Sequence, residues 1–335
     1  MTREIGVAVV GAGFWAREMH LPALAQLPGV KITSVVATSQ ESARRAAEPY
    51  EAKALTGIAE AAAEADVLDI VAPPDVHLPA VEIAAAHGTH ALCIKPLARS
   101  LDEADRMLAA VEAAGTRLFY AENVPFIPAL QAARKAVDAG DIGEVFRVKA
   151  CEGIGQPHSP WFFDPERSGG GAIRDMAVHS LEFCRFFARS TVSTVYAEAG
   201  TFVHQKRTTA EDTAVLTLRF ANGVIGQCED SWSLTGAMDS RFEVFGTEGR
   251  ILVDNLHRQP LQVVNQSAGW SYPLPIAGLV ADGHLAMLGH FLDCLRTGAP
   301  SLSDGHVGRD VLAVVDAAYR SVASGRREEI KETTR

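Results

Sequence analysis

At 335 residues, 47% hydrophobic and 21% charged, the chain has the make-up of a globular protein and a length that suits two cores rather than one. Its formal charge of −10 argues against nucleic acid and an anionic membrane surface as principal partners, but not against an anionic cofactor held by backbone N–H groups. Five scattered cysteines without a C-x-x-C pair, no apolar run of membrane-spanning length and a strand starting after four residues lead us to expect a cytoplasmic protein with reduced thiols and no signal peptide.

The first strand, Ile5 to Val10, runs into Gly11-Ala12-Gly13 and then a helical pattern in which Trp15, Met19, Leu21, Leu24 and Leu27 recur at three- and four-residue steps. Gly11 can take the dihedrals of a tight turn, and Gly13 leaves no Cβ between backbone and ligand. A helix starting there aims N–H groups and the positive end of its dipole at the turn, which suits a pyrophosphate. Ala16 fills the third position of G-x-G-x-x-G, where only a small side chain is required. Gly11, Gly13, Phe14 and Trp15 are therefore candidate dinucleotide contacts.

Strand and helix then alternate to residue 122. The strand KITSVVA is followed by a helix from Ser39 to Tyr50, a short helix at Gly57–Glu64 and the strand VLDIVA. Helix Pro74–His87, strand ALCI, helix Ser100–Ala114 and strand RLFYA complete the series. Short, wholly apolar strands in this order predict a parallel, doubly wound α/β sheet covered on both faces. After KITSVVA no acid stands ready for a ribose 2′-hydroxyl before Glu41. Thr38, Ser39 and the nearby Arg44 better suit a 2′-phosphate, which favours NADP over NAD; equally, Arg44 and Arg45 fit a solvated helix face. VLDIVA ends in Pro73 and Pro74, which keep the backbone extended at the crevice, and His77 either touches the cofactor or caps the next helix. The strand ALCI delivers Lys95, an ammonium group costly at a buried strand end unless a ligand meets it; the alternative is a lysine that snorkels to the surface.

From Asn123 the pattern changes. A helix over 126–139 and the strand EVFRVKACEG precede strands with no helices between them: STVYAEAGTFV, DTAVLTLRF, GVIGQCEDSWS, SRFEVFGTEG and RILVDN. Asn222-Gly223 and Thr247-Glu248-Gly249 read as hairpin turns, so residues 123–335 form an α+β domain with an open, mainly antiparallel sheet. Helices at 284–297 and 304–324 close it, and the tail RREEIKETTR holds a last short strand and a frayed end. Within this domain, Gly169-Gly170-Gly171 lead into a helix carrying Asp175 and His179 on one face, four residues apart. A carboxylate one turn before a histidine can accept its N–H or bind a substrate hydroxyl, leaving the second ring nitrogen for acid–base work. A solvated polar face is the plainer account. A zinc site lacks further ligands at suitable spacing, and no G-x-S-x-G elbow marks a serine hydrolase.

Together GAGFWA, APPDVH, ALCIKPLA, Asn123 and GGGAIRDMAVHSLE resemble, in order and over nearly the whole chain, the glucose–fructose oxidoreductase/inositol dehydrogenase family (Gfo/Idh/MocA). The resemblance implies a Rossmann domain followed by an open sheet used for assembly as a homodimer or homotetramer. It implies NAD(P)-dependent hydride transfer to or from a sugar, polyol or related derivative. Lys95 would orient the substrate, His179 act as acid/base and Asp175 position both, with Asn123, Pro73 and His77 near the cofactor. Where the family usually has a glutamate before the lysine this chain has Ile94, and Ala177 replaces a common glycine. The segment Gly155–Trp161 looks like a subgroup insertion over the sugar site, making His158 and Trp161 candidate substrate contacts. The same residues would also serve transient oxidation followed by elimination or glycoside cleavage, or a non-catalytic dinucleotide sensor.

Overall fold

The computed structural model describes residues 3–234, 238–256, 261–265, 272–273 and 283–330. The chain divides into two compact units, Met1–Glu122 with His284–Asp310, and Asn123–Gly283 with Val311–Arg335.

The first unit is built on a parallel sheet of β1 (Ile5–Val10), β2 (Val30–Val36), β3 (Lys53–Leu55), β4 (Val67–Ile70), β5 (His90–Ile94) and β6 (Leu118–Ala121), in the order β3-β2-β1-β4-β5-β6. The chain thus winds outward from β1 in one direction and from β4 in the other, and the crevice where ligands bind such sheets opens between their carboxyl ends. All four residues of β4 and of β6 are buried, as strands covered on both faces require. Short helices connect the strands: α1 (Leu21–Gln26), α2 (Gln40–Ala47), α3 (Ile58–Ala63), α4 (His77–Ala86) and α5 (Leu101–Ala114). Ser39 and Ser100 cap α2 and α5, accepting the N–H of Ser42 and Glu103 at 3.2 Å each. The three-residue β3 was not anticipated, because Lys-Ala-Leu is too short to show a period.

The first stripe is also corrected. Between Trp15 and α1 the backbone makes one π-helical turn, Ala16–His20. Leu21 and Leu24 are buried as the stripe requires, but ahead of them the π turn puts Ala16 and His20 inward, while Trp15, Met19 and Leu27 are only partly buried.

The change of pattern at residue 122 coincides with the boundary between units, but the segment 284–310 returns to the first unit rather than closing the second. Its helix α10 (His284–Thr297) stacks Phe291 on Phe119 of β6 at 5.1 Å between centroids. Arg117 donates to the Cys294 and Ala299 carbonyls (2.8 and 2.9 Å), and the Ser303 hydroxyl to the Tyr120 carbonyl (2.8 Å). The fully buried Phe119 and Tyr120 take part of their cover from this late segment.

The second unit opens with α6 (Pro128–Asp138) and β7 (Val145–Ile154), followed by the short helices α7 (Pro165–Ser168) and α8 (Ala172–Asp175) and by α9 (Ala177–Ala188). The strands β8 (Val192–Gly200), β9 (Thr213–Phe220), β10 (Ile225–Ser231), β11 (Met238–Gly246), β12 (Gly249–Asp254), β13 (Leu261–Asn265) and β14 (Tyr272–Pro273) come next. The helix α11 (Gly305–Ser324), whose residues from Val311 belong here, leads to β15 (Glu328–Glu329). The nine described strands form one sheet in the order β14-β13-β12-β11-β7-β10-β9-β8-β15, antiparallel except where β10 runs parallel to β7. Both anticipated hairpins are present: β9 pairs with β10 across Asn222-Gly223, and β11 with β12 across residues 247–248. Burial alternates residue by residue along β9 and β10, the mark of a sheet with one covered face. On that face Leu216, Cys228 and Phe242 join one core with Phe183 of α9 and Val315 of α11. The opposite face is largely polar, with pairs such as Lys149–Glu229 at 2.9 Å. The expected last strand pairs with β8, and the expected frayed end at 331–335 lies outside the described residues. No helix among the described residues is long and apolar enough to cross a membrane.

Candidate active site

In the first unit the residues singled out from sequence follow the carboxyl ends of the parallel strands. Gly11 takes φ +126°, and a Cβ on it would stand 2.1 Å from the Val71 carbonyl oxygen, so glycine is obligatory there. Gly13 differs: a Cβ there would meet no described protein atom within 4 Å. Protein packing therefore does not demand glycine at Gly13, and the position leaves room for a ligand to approach the backbone. Helical hydrogen bonding begins immediately, with the Arg17 N–H donating to the Gly13 carbonyl at 3.1 Å. Phe14 is exposed and meets Trp15 edge-on at 5.5 Å. This turn fits the phosphates of a dinucleotide.

After β2, Thr38, Ser39, Arg44 and Arg45 are all exposed, and the Ser39 hydroxyl is engaged as the cap of α2. Pro73 holds an extended backbone ahead of a 3₁₀ turn at Pro74–Val76. His77 is fully buried at the start of α4, its Nδ1 3.1 Å from the Leu97 carbonyl and its Nε2 2.9 Å from the Ala72 carbonyl. Burial lowers its pKa against these carbonyls, and in the neutral ring one nitrogen donates while the other only faces an oxygen. The ring makes no capping bond to α4; it joins the turns after β4 and β5 instead, a role the sequence did not suggest. Lys95 is partly exposed directly after β5, its N–H on the Ala121 carbonyl at 3.3 Å, and its bond to Pro96 is cis. Asn123 opens the second unit at the head of a 3₁₀ turn, Val124–Phe126.

In the second unit Asp175 and His179 stand four residues apart, and Trp161 packs in the cluster around Trp232, whose indole holds Asp175. Asp175 ends α8 and His179 lies in the first turn of α9. The single helix expected from sequence is interrupted at Met176, though both pieces keep right-handed helical dihedrals across it. The glycine run ahead of α8 is a point of close approach. A Cβ on Gly170 would stand 2.2 Å from the Tyr319 hydroxyl, and one on Gly171 2.0 Å from the Glu211 carbonyl oxygen. That contact lets the Ala172 N–H donate to the Glu211 carbonyl (2.9 Å) and the Ile173 N–H to its carboxylate (2.9 Å), on which the Tyr319 hydroxyl also donates (2.9 Å). Burial raises Glu211 above the ordinary carboxylate range in spite of these donors, and raises the Tyr319 phenol as well.

Sequence reasoning missed Trp232, two residues beyond the carboxylate Asp230. Its fully buried indole donates Nε1–H to Asp175 Oδ2 at 2.8 Å. A buried tryptophan N–H needs an acceptor, which was the available signal; which acceptor is a matter of tertiary contact. Trp232 is itself held from behind, its N–H on the Asp212 carbonyl at 2.7 Å and its own carbonyl 3.0 Å from His204 Nε2. The Asp212 carboxylate accepts the consecutive N–H groups of Phe202, Val203 and His204 at 2.7–3.0 Å. Burial alone would raise Asp212, but these donors outweigh it and hold the carboxyl below its usual range. Trp161 and Phe162 stack at 3.7 Å beside Trp232, in a small cluster with Ala172 and Met176, so the segment ending at Trp161 packs near the helix that carries Asp175. His158 is exposed, its ring edge-on to Phe162 at 5.0 Å. No group of three or more metal-ligating side chains occurs among the described residues.

Known proteins resemble this chain along most of its length. Residues 5–122 match the description "Oxidoreductase family, NAD-binding Rossmann fold", and residues 130–252 match "GFO/IDH/MocA C-terminal domain". The 1,5-anhydro-D-fructose reductase of Ensifer adhaerens is 30% identical over 96% of this chain and 98% of its own. The inositol 2-dehydrogenase of Rhizobium meliloti (strain 1021) is 28% identical over 97% and 98%. Among solved structures, GenD2 from gentamicin A biosynthesis, in complex with NAD, superposes with a TM-score of 0.88 at 27% identity, covering 99% of this chain and 98% of that one. With a doubly wound dinucleotide sheet, an open mixed sheet and matches over both parts, the chain belongs to the Gfo/Idh/MocA family of oxidoreductases, and its first part is that family's NAD-binding Rossmann fold.

Proposed function

We propose that this protein catalyses reversible hydride transfer between a carbinol carbon of a sugar, polyol or sugar derivative and NAD(P). The observation that carries the reading is the fixed carboxylate of Asp175, held by the Trp232 indole one turn before His179. When bound, the nicotinamide accepts or gives the hydride; the protein fixes distance and charge. In the oxidative direction His179 takes the hydroxyl proton as general base, Lys95 donates a hydrogen bond to the same oxygen, and Asp175 positions the histidine and a neighbouring hydroxyl. In reduction the same groups act in reverse. Gly11, Gly13, Phe14, Trp15, Pro73 and Asn123 line the cofactor, and Trp161 and His158 face the sugar. With Thr38, Ser39 and Arg44 exposed after β2 and no carboxylate before Glu41, NADP is the preferred dinucleotide. The names of the two relatives, an inositol dehydrogenase and an anhydrofructose reductase, support a polyhydroxylated substrate. The largely polar open face of the nine-stranded sheet is the surface on which a homodimer or homotetramer would assemble.

A panel of sugars, polyols and sugar acids with NAD⁺ and with NADP⁺, followed at the nicotinamide absorbance, tests this. Reduced cofactor accumulates with at least one member, faster with NADP⁺. Product formed without accumulation would replace the reading by an oxidation–elimination or glycoside cleavage with no net redox change, and binding of dinucleotide without any turnover would leave a sensor.

A further inference from the structure

The first unit buries a hydrogen-bonded polar pair, His20 and Asp69, that the proposed chemistry does not use. Asp69, in the middle of β4, sits in register with Val9 of β1 and Leu92 of β5, and Leu92 with Phe119 of β6. In this apolar row it is 1% exposed, and His20 above it is 0% exposed. His20 Nδ1 lies 2.9 and 3.1 Å from the two Asp69 carboxylate oxygens. His20 Nε2 has no hydrogen-bond partner among the described residues, so the ring's hydrogen bonding there is to the Asp69 carboxylate. The ring meets His284 of α10 edge-on at 5.3 Å, and His284 in turn stacks on Trp15 at 5.8 Å.

His20 closes the π-helical turn that starts three residues after Gly13. Such a turn is a local irregularity with an energetic cost, usually retained where it places a functional group. Burying a carboxylate in the centre of a sheet also costs several kcal/mol before pairing, and a well-packed apolar pair of similar volume is generally as stable or more so. Stability therefore does not account for the pair, whereas direction does. A hydrogen bond fixes the rotation of the turn about its axis, which two leucines cannot do.

We propose that His20 and Asp69 are positioning residues for the dinucleotide. By locking the π turn onto β4 they hold Gly13, Phe14 and Trp15 where the cofactor's phosphates are bound, and so set cofactor affinity without taking part in hydride or proton transfer. The inference rests on the reading of the glycine turn as the dinucleotide site.

The test compares wild type with His20→Leu/Asp69→Leu and with Asp69→Asn, which keeps an acceptor for the Nδ1–H. Thermal melting, NADH and NADPH titrations by fluorescence, and steady-state kinetics on a turned-over sugar or polyol are read for each. The double variant should melt close to wild type, bind both dinucleotides about tenfold or more weakly and keep its kcat at saturating cofactor, with Asp69→Asn in between. A double variant that melts and binds like wild type overturns the proposal, as does one that loses kcat at unchanged affinity. Should the double variant fail to fold, Asp69→Asn decides by the same split between affinity and kcat: unchanged affinity overturns the proposal, and weakened affinity at wild-type kcat supports it. Failure of the wild type itself to bind either dinucleotide would instead overturn the site on which the inference rests.

Discussion

Asp175 and His179 show how little of the candidate site is held by the residues proposed to do its chemistry. The pair was legible because a carboxylate and an imidazole four apart on a helix share a face. What makes it rigid is spread over the chain: the Trp232 indole on Asp175, the Asp212 carbonyl on Trp232, and three loop N–H groups on the Asp212 carboxylate. None of these contacts has a spacing that sequence could show. At this scale the proposed mechanism makes one demand. His179→Ala removes the general base while leaving the glycine turn intact, so kcat should fall by about a hundredfold or more with dinucleotide affinity nearly unchanged. Steady-state kinetics with a proven substrate and a fluorescence titration check it, and wild-type turnover would remove His179 from the mechanism.

Among the elements, α8 is held from outside itself. It has four residues, too few to be stable by propensity, and holds its place because its first N–H groups donate to Glu211 across Gly171. A methyl group on Gly171 would collide with the Glu211 carbonyl. Gly171→Ala should accordingly cost about 1–3 kcal/mol, seen as a lower urea midpoint at an unchanged slope, and should lower kcat as well because α8 carries Asp175. An unshifted midpoint would show that the close approach is not needed. The glycine run was visible in sequence; that it serves contact rather than flexibility depends on Glu211 and Tyr319, which lie far along the chain. The π turn is the converse case. A regular helical period put Trp15 and Met19 inward, and one additional residue in the turn put Ala16 and His20 there instead.

For the whole molecule the instructive residue range is 284–310. Its apolar helix reads like any other closing helix, and nothing local says which sheet it covers. In the structure it supplies Phe291 to Phe119 and carbonyl acceptors to Arg117. Residues 1–122 expressed alone therefore expose part of the β6 face. They should melt at markedly lower temperature, and less cooperatively, than the same residues joined by a short flexible linker to 284–310. Equal cooperative melting of the two forms, followed by circular dichroism, would show that the late segment is dispensable.

Sequence alone determined what depends on neighbours within a turn or a strand: the glycine turn after β1, the switch from alternating helix and strand to successive hairpins at residue 122, and the hairpin at Asn222-Gly223. These follow from dihedral freedom and from periodicities of 2 and 3.6, which are local properties. Tertiary structure decided which buried polar groups meet. His20 faces Asp69, His77 spends its ring on two backbone carbonyls, Trp232 braces Asp175, and the helix after residue 283 returns to the first sheet. A buried donor must find an acceptor, but its identity depends on how distant elements pack, and no spacing along the chain encodes that.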